Sequence, residues 1–176
     1  ERCGEVVTDS RTLRPGDLFV ALRGPRFDGH TFVAEVLAGG AAGAIVETGA
    51  GPADPRVIEV PDTLEALQRL AHRVRMSVKT RVIAITGSAG KTTTKDTIAA
   101  LLATEFRVVK NKGNLNNHIG LPLSLMELRA GPDVAVHLLF YDDDVDKDAV
   151  AFETDSRFLW AVEGVSGLYA ANVEFT

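Results

Sequence analysis

The 176-residue sequence has a net charge of −5 and is 45% apolar, which allows one or two packed domains and argues against general nucleic-acid binding. The single cysteine, Cys3, excludes an intrachain disulfide and a C-x-x-C metal or redox motif. No apolar run approaches the ~20 residues that span a bilayer, and no signal peptide is recognisable, so we expect a soluble cytoplasmic protein without membrane insertion.

Strands and helices alternate along the first part of the sequence. Short strands are predicted at 17–22, 44–46 and 57–60, and a helix is predicted at 30–37. A second helix follows Asp62, which with Glu65 resembles a capping box. Apolar residues at helical spacing line one face of this second helix, namely Leu64, Leu67, Leu70, Ala71 and Val74. The alternation predicts an α/β fold with helices layered on a sheet.

A polar segment at 76–80 marks the boundary that we predict between a first domain, 1–78, and a second, 79–144. The second domain opens with a continuous apolar strand at 81–86, of the kind buried on both faces of a parallel sheet. The elements predicted after it are a helix at 92–104 with Ile98, Leu101 and Leu102 on its inner face, a strand at 107–110, a helix at 121–128 and a strand at 134–141. The remaining tail, 145–176, has no assigned affiliation, and strands are expected there at 158–162 and 168–175.

The turn between the strand and the helix has the composition of a phosphate-binding loop. A polyphosphate needs several converging backbone N–H donors, and Gly87 and Gly90 allow the backbone conformations that this requires. Lys91 can reach the β and γ phosphates, and the Thr92 hydroxyl is the expected Mg²⁺ ligand. The predicted site for ATP and Mg²⁺ comprises Gly87, Ser88, Ala89, Gly90, Lys91, Thr92 and Thr93.

Ile85 departs from the usual pattern G-x-x-x-x-G-K-[ST], which has a glycine at that position. The alternative interpretation is an ordinary strand-to-helix turn. The strand before the turn, the amphipathic helix after it and Gly-Lys-Thr in register between them favour the phosphate site.

Two signatures in the sequence resemble the Mur ligase family. T-G-S-A-G-K-T-T-T-K at 86–95, followed by G-N-L-N-N-H-I-G-L-P-L-S-L at 113–125, is similar to the central ATPase domain of that family. D-S-R at 9–11, P-G-D-L-F-V-A at 15–21 and D-G-H at 28–30 are similar to its uridine-nucleotide-binding domain.

The resemblance extends over about 7–136 and implies a small N-terminal α/β domain that binds a UDP-muropeptide, followed by a partial P-loop parallel-sheet ATPase domain. It implies that ATP phosphorylates the terminal carboxylate of UDP-N-acetylmuramoyl tripeptide and that the amine of D-Ala-D-Ala attacks the acyl phosphate. Ser88 and the loop 113–117 favour this member of the family over the tripeptide-adding one. These small molecules are the expected partners, nucleic acid is not one, and a monomer is expected.

The resemblance also implies roles for individual residues. Asn114 and Asn117 would face the γ-phosphate and the muropeptide beside His118, and Ser10 and Arg11 would hold the UDP group. The catalytic residues that it implies are Lys91, Asn117 and His118. Taken alone, asparagines in a glycine-containing loop are typical turn formers, and Arg11 is typical of a solvated surface charge.

Leu138 stands where the family has the glutamate of a Glu-x-Gly motif that helps hold Mg²⁺. Asp142 could replace it, although five aspartates within 142–148 are more typical of a solvated acidic loop. The rest of the family's central domain and its C-terminal domain have no counterpart here. Three functions stay open: an amide ligase represented by its first part, a binding module without turnover, and a P-loop kinase or NTPase that uses Asp142.

Overall fold

The computed structural model describes residues 4–25, 27–87, 90–111, 115, 117–138, 158–164 and 167–171. The chain divides into two compact units, Glu1–Ala71 and His72–Thr176. Each unit contains a mainly parallel sheet, as the sequence predicts for an α/β protein.

The first unit is built on four short parallel strands in the order β1-β2-β5-β6. Its elements in chain order are β1 (Val6–Val7), β2 (Leu18–Val20), the antiparallel hairpin of β3 (Arg23–Gly24) and β4 (Phe27–Asp28), α1 (Val33–Ala38), β5 (Gly43–Glu47), β6 (Val57–Val60) and α2 (Thr63–Ser77). The predicted strands and helices are confirmed. The helix predicted from residue 30 begins with a 3-10 turn, Gly29–Phe32, before α1.

The core of the first unit forms where α1 packs against the sheet. Val33, Val36 and Leu37 recur at the spacing of one helical face, and all three are buried. They cluster with residues of β2, β5 and the connections, namely Phe19, Ala21, Ala41, Ala44 and Val46. Burying each larger side chain contributes about 1.5–3 kcal/mol, so this cluster stabilises the packing of α1 against the sheet.

The start of α2 confirms the Asp62 half of the predicted capping box. The Glu65 amide donates to Oδ1 of Asp62 over 2.9 Å, which satisfies one of the donors left open at a helix start. Thr63, Leu67 and Ala71 are buried at four-residue intervals. Because the division between the two units falls after Ala71, inside α2, the domain boundary predicted after residue 78 stays a prediction.

The second unit has a five-stranded sheet in the order β11-β10-β7-β9-β8. Its elements are β7 (Arg81–Gly87), α3 (Lys91–Leu102), β8 (Val108–Lys110), α4 (Gly120–Met126), a 3-10 turn (Glu127–Ala130), β9 (Val134–Leu138), β10 (Phe158–Gly164) and β11 (Gly167–Ala171). All pairings are parallel except the β10–β11 hairpin. The last three residues of the strand predicted at 134–141 lie outside the described residues. No helix in the described ranges is long and apolar enough to cross a membrane.

The inner face of α3 differs from the prediction at one position. Leu101 is 68% exposed, whereas Lys95 and Ala99 are buried, and Ile98 and Leu102 pack against the apolar cluster of β7 and β9. Positions 95, 98, 99 and 102 follow helical spacing, and 101 falls to the side of that face. The inclusion of Leu101 was therefore wrong, because its position turns it away from the buried face. Lys95, for which no burial was predicted, belongs to that face instead.

Candidate nucleotide-binding site

The candidate phosphate loop connects β7 to α3 at the carboxyl end of the sheet. Gly90 directly precedes α3 with φ of 77° and ψ of −11°, a left-handed conformation that favours glycine. The 12-residue α3 therefore begins beside the end of a buried parallel strand, where open α/β sheets bind ligands and where the helix dipole favours anions. Ser88 and Ala89 lie outside the described residues.

The first turn of α3 carries the side chains predicted to contact phosphate and metal. Lys91 is half-buried, whereas Thr92 and Thr93 are exposed. The Thr94 amide already bonds to the Gly90 carbonyl over 2.9 Å, so the helix is formed from its first residues. One ammonium and two hydroxyls on this turn suit a polyphosphate with its metal ion.

The predicted metal ligand is Thr92, and the family's second ligand would stand at the end of β9. The Thr92 hydroxyl fits a Mg²⁺ ion as an oxygen ligand. Leu138 is 2% exposed, and its hydrocarbon side chain offers no ligand. Within the described ranges, no group of three or more His, Cys, Asp or Glu residues could hold a metal ion. Asp142 lies outside the described residues.

Asn117 has a structural task at the start of α4. Its Oδ1 accepts hydrogen bonds from the amides of Ile119 and Gly120 over 3.2 and 2.8 Å, so it caps the helix in the way asparagine commonly does. His118 beside it is exposed. Asn114 lies outside the described residues. The catalytic and substrate-binding roles of these three residues stay predictions.

Two buried polar residues near the loop were missed by the sequence reasoning. Lys95 is 4% exposed and donates from Nζ to the main-chain carbonyl of Asn111 over 3.1 Å. Asn111 is 1% exposed and uses both atoms of its amide group. Two sequence features could have pointed to them. Lys95 lies one helical turn after Lys91, and Asn111 is the first residue of the run N-K-G-N.

His137, next to Leu138 in β9, is buried without a hydrogen-bond partner for either ring nitrogen among the described residues. Burial, followed by the charge of Lys95, lowers the pKa of this imidazole to about 4. The neutral ring therefore predominates near pH 7, and His137 adds no positive charge to the site.

Ser10 and Arg11, predicted to hold UDP, lie together in a 3-10 turn of the first unit. The guanidinium of Arg11 forms a two-point pair with Asp9, from Nε to Oδ1 over 2.9 Å and from Nη2 to Oδ2 over 2.7 Å. This pairing with Arg11 lowers the pKa of Asp9 to about 2. The Arg11 side chain is 86% exposed, so it is accessible to a ligand, although its fork is engaged by Asp9.

Two family models match the chain in succession. The model described as the Mur ligase family, catalytic domain, matches residues 4–75, and the Mur ligase middle domain matches residues 85–137. Between them they contain the predicted UDP-binding turn and most of the second unit up to His137.

The relatives of this chain agree in name. The UDP-N-acetylmuramoyl-tripeptide--D-alanyl-D-alanine ligase of Bacillus subtilis (strain 168) is 47% identical over 133 residues, which are 74% of this chain and 29% of that protein. The ligase of the same name from Escherichia coli (strain K12) is 46% identical over 131 residues, again 74% and 29% of the two chains.

Solved structures give the same relationship. A crystal structure of MurF from Acinetobacter baumannii has a TM-score of 0.68 at 44% identity and is matched over 77% of this chain and 30% of that one. The MurF ligase of Thermotoga maritima in complex with ADP has a TM-score of 0.70 at 37% identity, over 76% and 31%. The chain thus spans between 29% and 31% of the length of these relatives.

Proposed function

The chain belongs to the Mur ligase family, and from that premise we propose that it carries the UDP-muropeptide-binding and ATP-binding parts of a cytoplasmic peptidoglycan-precursor ligase. The whole ligase would join D-Ala-D-Ala to UDP-N-acetylmuramoyl tripeptide. ATP, when bound with Mg²⁺, would supply the phosphoryl group that turns the tripeptide carboxylate into an acyl phosphate, which the incoming amine attacks.

The observation that carries this proposal is the start of α3. A buried parallel strand, a glycine in the left-handed conformation and a lysine on the first helical turn follow one another along the chain, at Ile85, Gly90 and Lys91. The amides at the start of α3, the helix dipole and the Lys91 ammonium would together favour a triphosphate at this end of the helix. Phosphoryl transfer depends on charge neutralisation of this kind.

The residues of the chain divide the work between the two units. Lys91 would neutralise the β and γ phosphates, and Thr92 would hold Mg²⁺. Ser10 and Arg11 would bind the UDP group, for which a planar guanidinium is suited because it can donate two parallel hydrogen bonds. Asn114, Asn117 and His118 would approach the reacting groups from the loop before α4.

A second candidate function is supported by Leu138. A leucine at the position of the metal-holding glutamate favours a module that binds nucleotide and UDP-muropeptide without turnover. The two functions differ in the fate of ATP, because the ligase releases phosphate and the binding module does not.

ATP binding is tested by thermal unfolding with and without ATP·Mg²⁺. A ligand at 100 times its Kd stabilises the folded state by about 2.7 kcal/mol, so the wild type should show a clear shift in Tm. Lys91→Ala should remove most of that shift. Lys79→Ala, at an exposed lysine outside the loop, is the matched control and should keep it. Equal shifts in all three proteins would contradict the proposed phosphate site.

Turnover is tested by mass spectrometry after incubation with ATP, Mg²⁺, UDP-N-acetylmuramoyl tripeptide and D-Ala-D-Ala. A pentapeptide product that Lys91→Ala abolishes would establish the ligase activity in this chain. ATP binding without phosphate release would favour the binding module. Phosphate release without product, abolished by Asp142→Asn, would indicate a P-loop NTPase instead.

A further inference from the structure

We propose that Asn111 is a positioning residue of the nucleotide site. Asn111 holds two groups in place next to α3: Leu115, in the connection between β8 and α4, and the end of β9. The proposal rests on the proposed ATP-binding function. A buried asparagine outside the phosphate loop thereby contributes to nucleotide affinity indirectly, through the groups that it holds in place.

Asn111 follows directly after β8 and joins three segments of the second unit. Its Oδ1 accepts a hydrogen bond from the amide of Leu138, the last residue of β9, over 3.0 Å. Its Nδ2 donates to the carbonyl of Leu115 over 3.3 Å, and its own carbonyl accepts Nζ of Lys95 over 3.1 Å. The ladder between β8 and β9 ends at the pair Lys110–Val136, so the Asn111 side chain satisfies the Leu138 amide after the strands separate.

The three segments meet on the side of the sheet where nucleotide would bind. β7, β8 and β9 are parallel, so Gly87, Lys110 and Leu138 all lie at carboxyl ends of strands, the side on which such sheets bind ligands. Lys95 lies one helical turn after Lys91, on the same face of α3. The contact between Lys95 and Asn111 therefore ties the phosphate-binding helix to the segment that follows β8.

The backbone of Leu115 has two further contacts, both with α4. The Ser124 hydroxyl lies 3.5 Å from the same Leu115 carbonyl. A Cβ on Gly120 would lie 2.6 Å from Cα of Leu115, closer than real Cβ atoms approach, so the backbone there leaves no room for a side chain. Asn111 thus holds Leu115 through its carbonyl, and Asn117 caps α4.

The contacts of Asn111 and Lys95 are buried, and this makes them costly to break. Lys95 and Asn111 are almost inaccessible to water, and buried polar groups that lose a partner cannot recover one from solvent. The ammonium of Lys95 also lies 3.9 Å from Asp96, which itself pairs with Lys110 over 2.7 Å. The ion pair between Asp96 and Lys110 is solvent-exposed and contributes less than the buried contact between Lys95 and Asn111.

The test compares ATP affinity, measured by isothermal titration calorimetry with Mg²⁺, among matched variants. Asn111→Leu removes the donor and the acceptor while keeping the branching and the number of side-chain heavy atoms, and we expect it to raise the Kd for ATP at least tenfold. Thr80→Val is the control, because Thr80 is equally buried, donates to the Pro132 carbonyl over 2.7 Å and precedes the amino end of β7. It should lower Tm while leaving the Kd within twofold of wild type.

Asn111→Asp provides the measurement if the leucine variant does not fold. It keeps an acceptor for the Leu138 amide and loses the donor to Leu115, so its Kd should lie between those of the wild type and the leucine variant. Amide exchange at Leu138 should accelerate in Asn111→Leu and stay close to wild type in Asn111→Asp.

Different results would overturn the positioning role of Asn111 and the nucleotide site at Lys91. If the wild type binds ATP, Lys91→Ala does not, and the folded Asn111 variants bind within twofold of wild type, the positioning role is overturned and the nucleotide site stands. If the wild type and Lys91→Ala behave alike, the nucleotide site and this inference both fall. A tenfold loss in Asn111→Leu that Thr80→Val does not share establishes the role.

Discussion

The imidazole of His30 is held between two partners, and the nearer is Asp28, whose Oδ1 lies 2.6 Å from Nδ1 of the ring. On the opposite side, Nε2 accepts a hydrogen bond from the Glu47 amide over 3.0 Å. Since an amide can only donate, Nε2 carries no proton, and Nδ1 donates to the carboxylate. The ring thereby links the turn before α1 to the end of β5.

Replacing His30 by leucine should lower the free energy of unfolding by about 1–3 kcal/mol, because the Glu47 amide would lose its partner in a largely buried position. Urea denaturation followed by circular dichroism measures the change. His72→Leu, at an exposed histidine of α2, is the control and should stay within about 0.5 kcal/mol of wild type. Equal effects of the two variants would show that the bridge contributes nothing beyond an average surface residue.

The conformation of Gly90 predicts a paired effect on stability and binding. A non-glycine residue in the left-handed region costs roughly 1–2 kcal/mol, so Gly90→Ala should destabilise the chain by that amount. Gly131→Ala is a close control, because Gly131 has φ of 66° and open space where a Cβ would project. Both variants should lose similar stability in urea, and only Gly90→Ala should also weaken ATP binding in calorimetry. Unchanged ATP affinity in folded Gly90→Ala would contradict the assigned loop.

The buried imidazole of His137 predicts a dependence of stability on pH. Its pKa is about 4 in the folded chain and near 6.5 when unfolded, so the unfolded state binds the extra proton first as the pH falls. The stability attached to the neutral ring is complete above pH 6.5 and declines toward pH 4. The decline amounts to about 3 kcal/mol, since each pKa unit corresponds to about 1.4 kcal/mol.

His137→Leu removes that titration, so its stability relative to wild type should grow as the pH is lowered from 7 to 4. Urea denaturation at half-unit pH steps measures the difference. The carboxylates of Asp9, Asp28 and Asp54, whose pKa values are lowered from 3.8 to about 2, also begin to lose their stabilising ionisation near the lower end of this range. Both proteins contain them, so their contribution cancels in the difference. A constant difference between the two proteins from pH 7 to 4 would contradict the prediction.

The sequence was sufficient for features that depend on local patterns. The apolar run of β7, the left-handed Gly90 and the Asp62 cap were all readable from residues close together in the chain. Lys95 was not readable in this way, because its burial depends on the carbonyl of Asn111, 16 residues away. Leu101 was assigned to the core on its apolar side chain alone, although the helical spacing turned it outward.

The sequence also did not indicate which strands pair when they lie far apart in the chain. β10 was predicted as a strand, but nothing in its residues indicated that it would lie parallel to β7, about 76 residues before it in the chain. The roles of Ser10, Arg11, Asn114, Asn117 and His118 came from family resemblance. They remain predictions, and the hydrogen bonds of Asn117 are those of a helix cap.

The first unit contains a second ion pair with the geometry of Arg11 and Asp9. This second pair provides a control for the predicted UDP site. Arg56 makes the same two-point contact with Asp54, from Nε over 3.0 Å and from Nη2 over 2.8 Å, and its amide also bonds to that carboxylate. An Asp-x-Arg turn of this form is therefore a local structural device, and its geometry alone does not identify a ligand site. The assignment of Arg11, and not Arg56, to the UDP group therefore comes from the family resemblance.

Arg11→Ala should raise the Kd for UDP-N-acetylmuramoyl tripeptide about tenfold, the loss expected when a charged hydrogen bond of about 1.4 kcal/mol to phosphate is removed. Its stability should change little, because the side chain is exposed and its ion pair is screened by solvent. Arg56→Ala should show the reverse pattern: unchanged affinity with lower stability, since Arg56 additionally donates to the Leu37 carbonyl over 3.0 Å. Calorimetry at low ionic strength gives the affinities, and urea denaturation gives the stabilities. If Arg56→Ala weakens ligand binding as much as Arg11→Ala, the turn at Ser10 and Arg11 is not the UDP site.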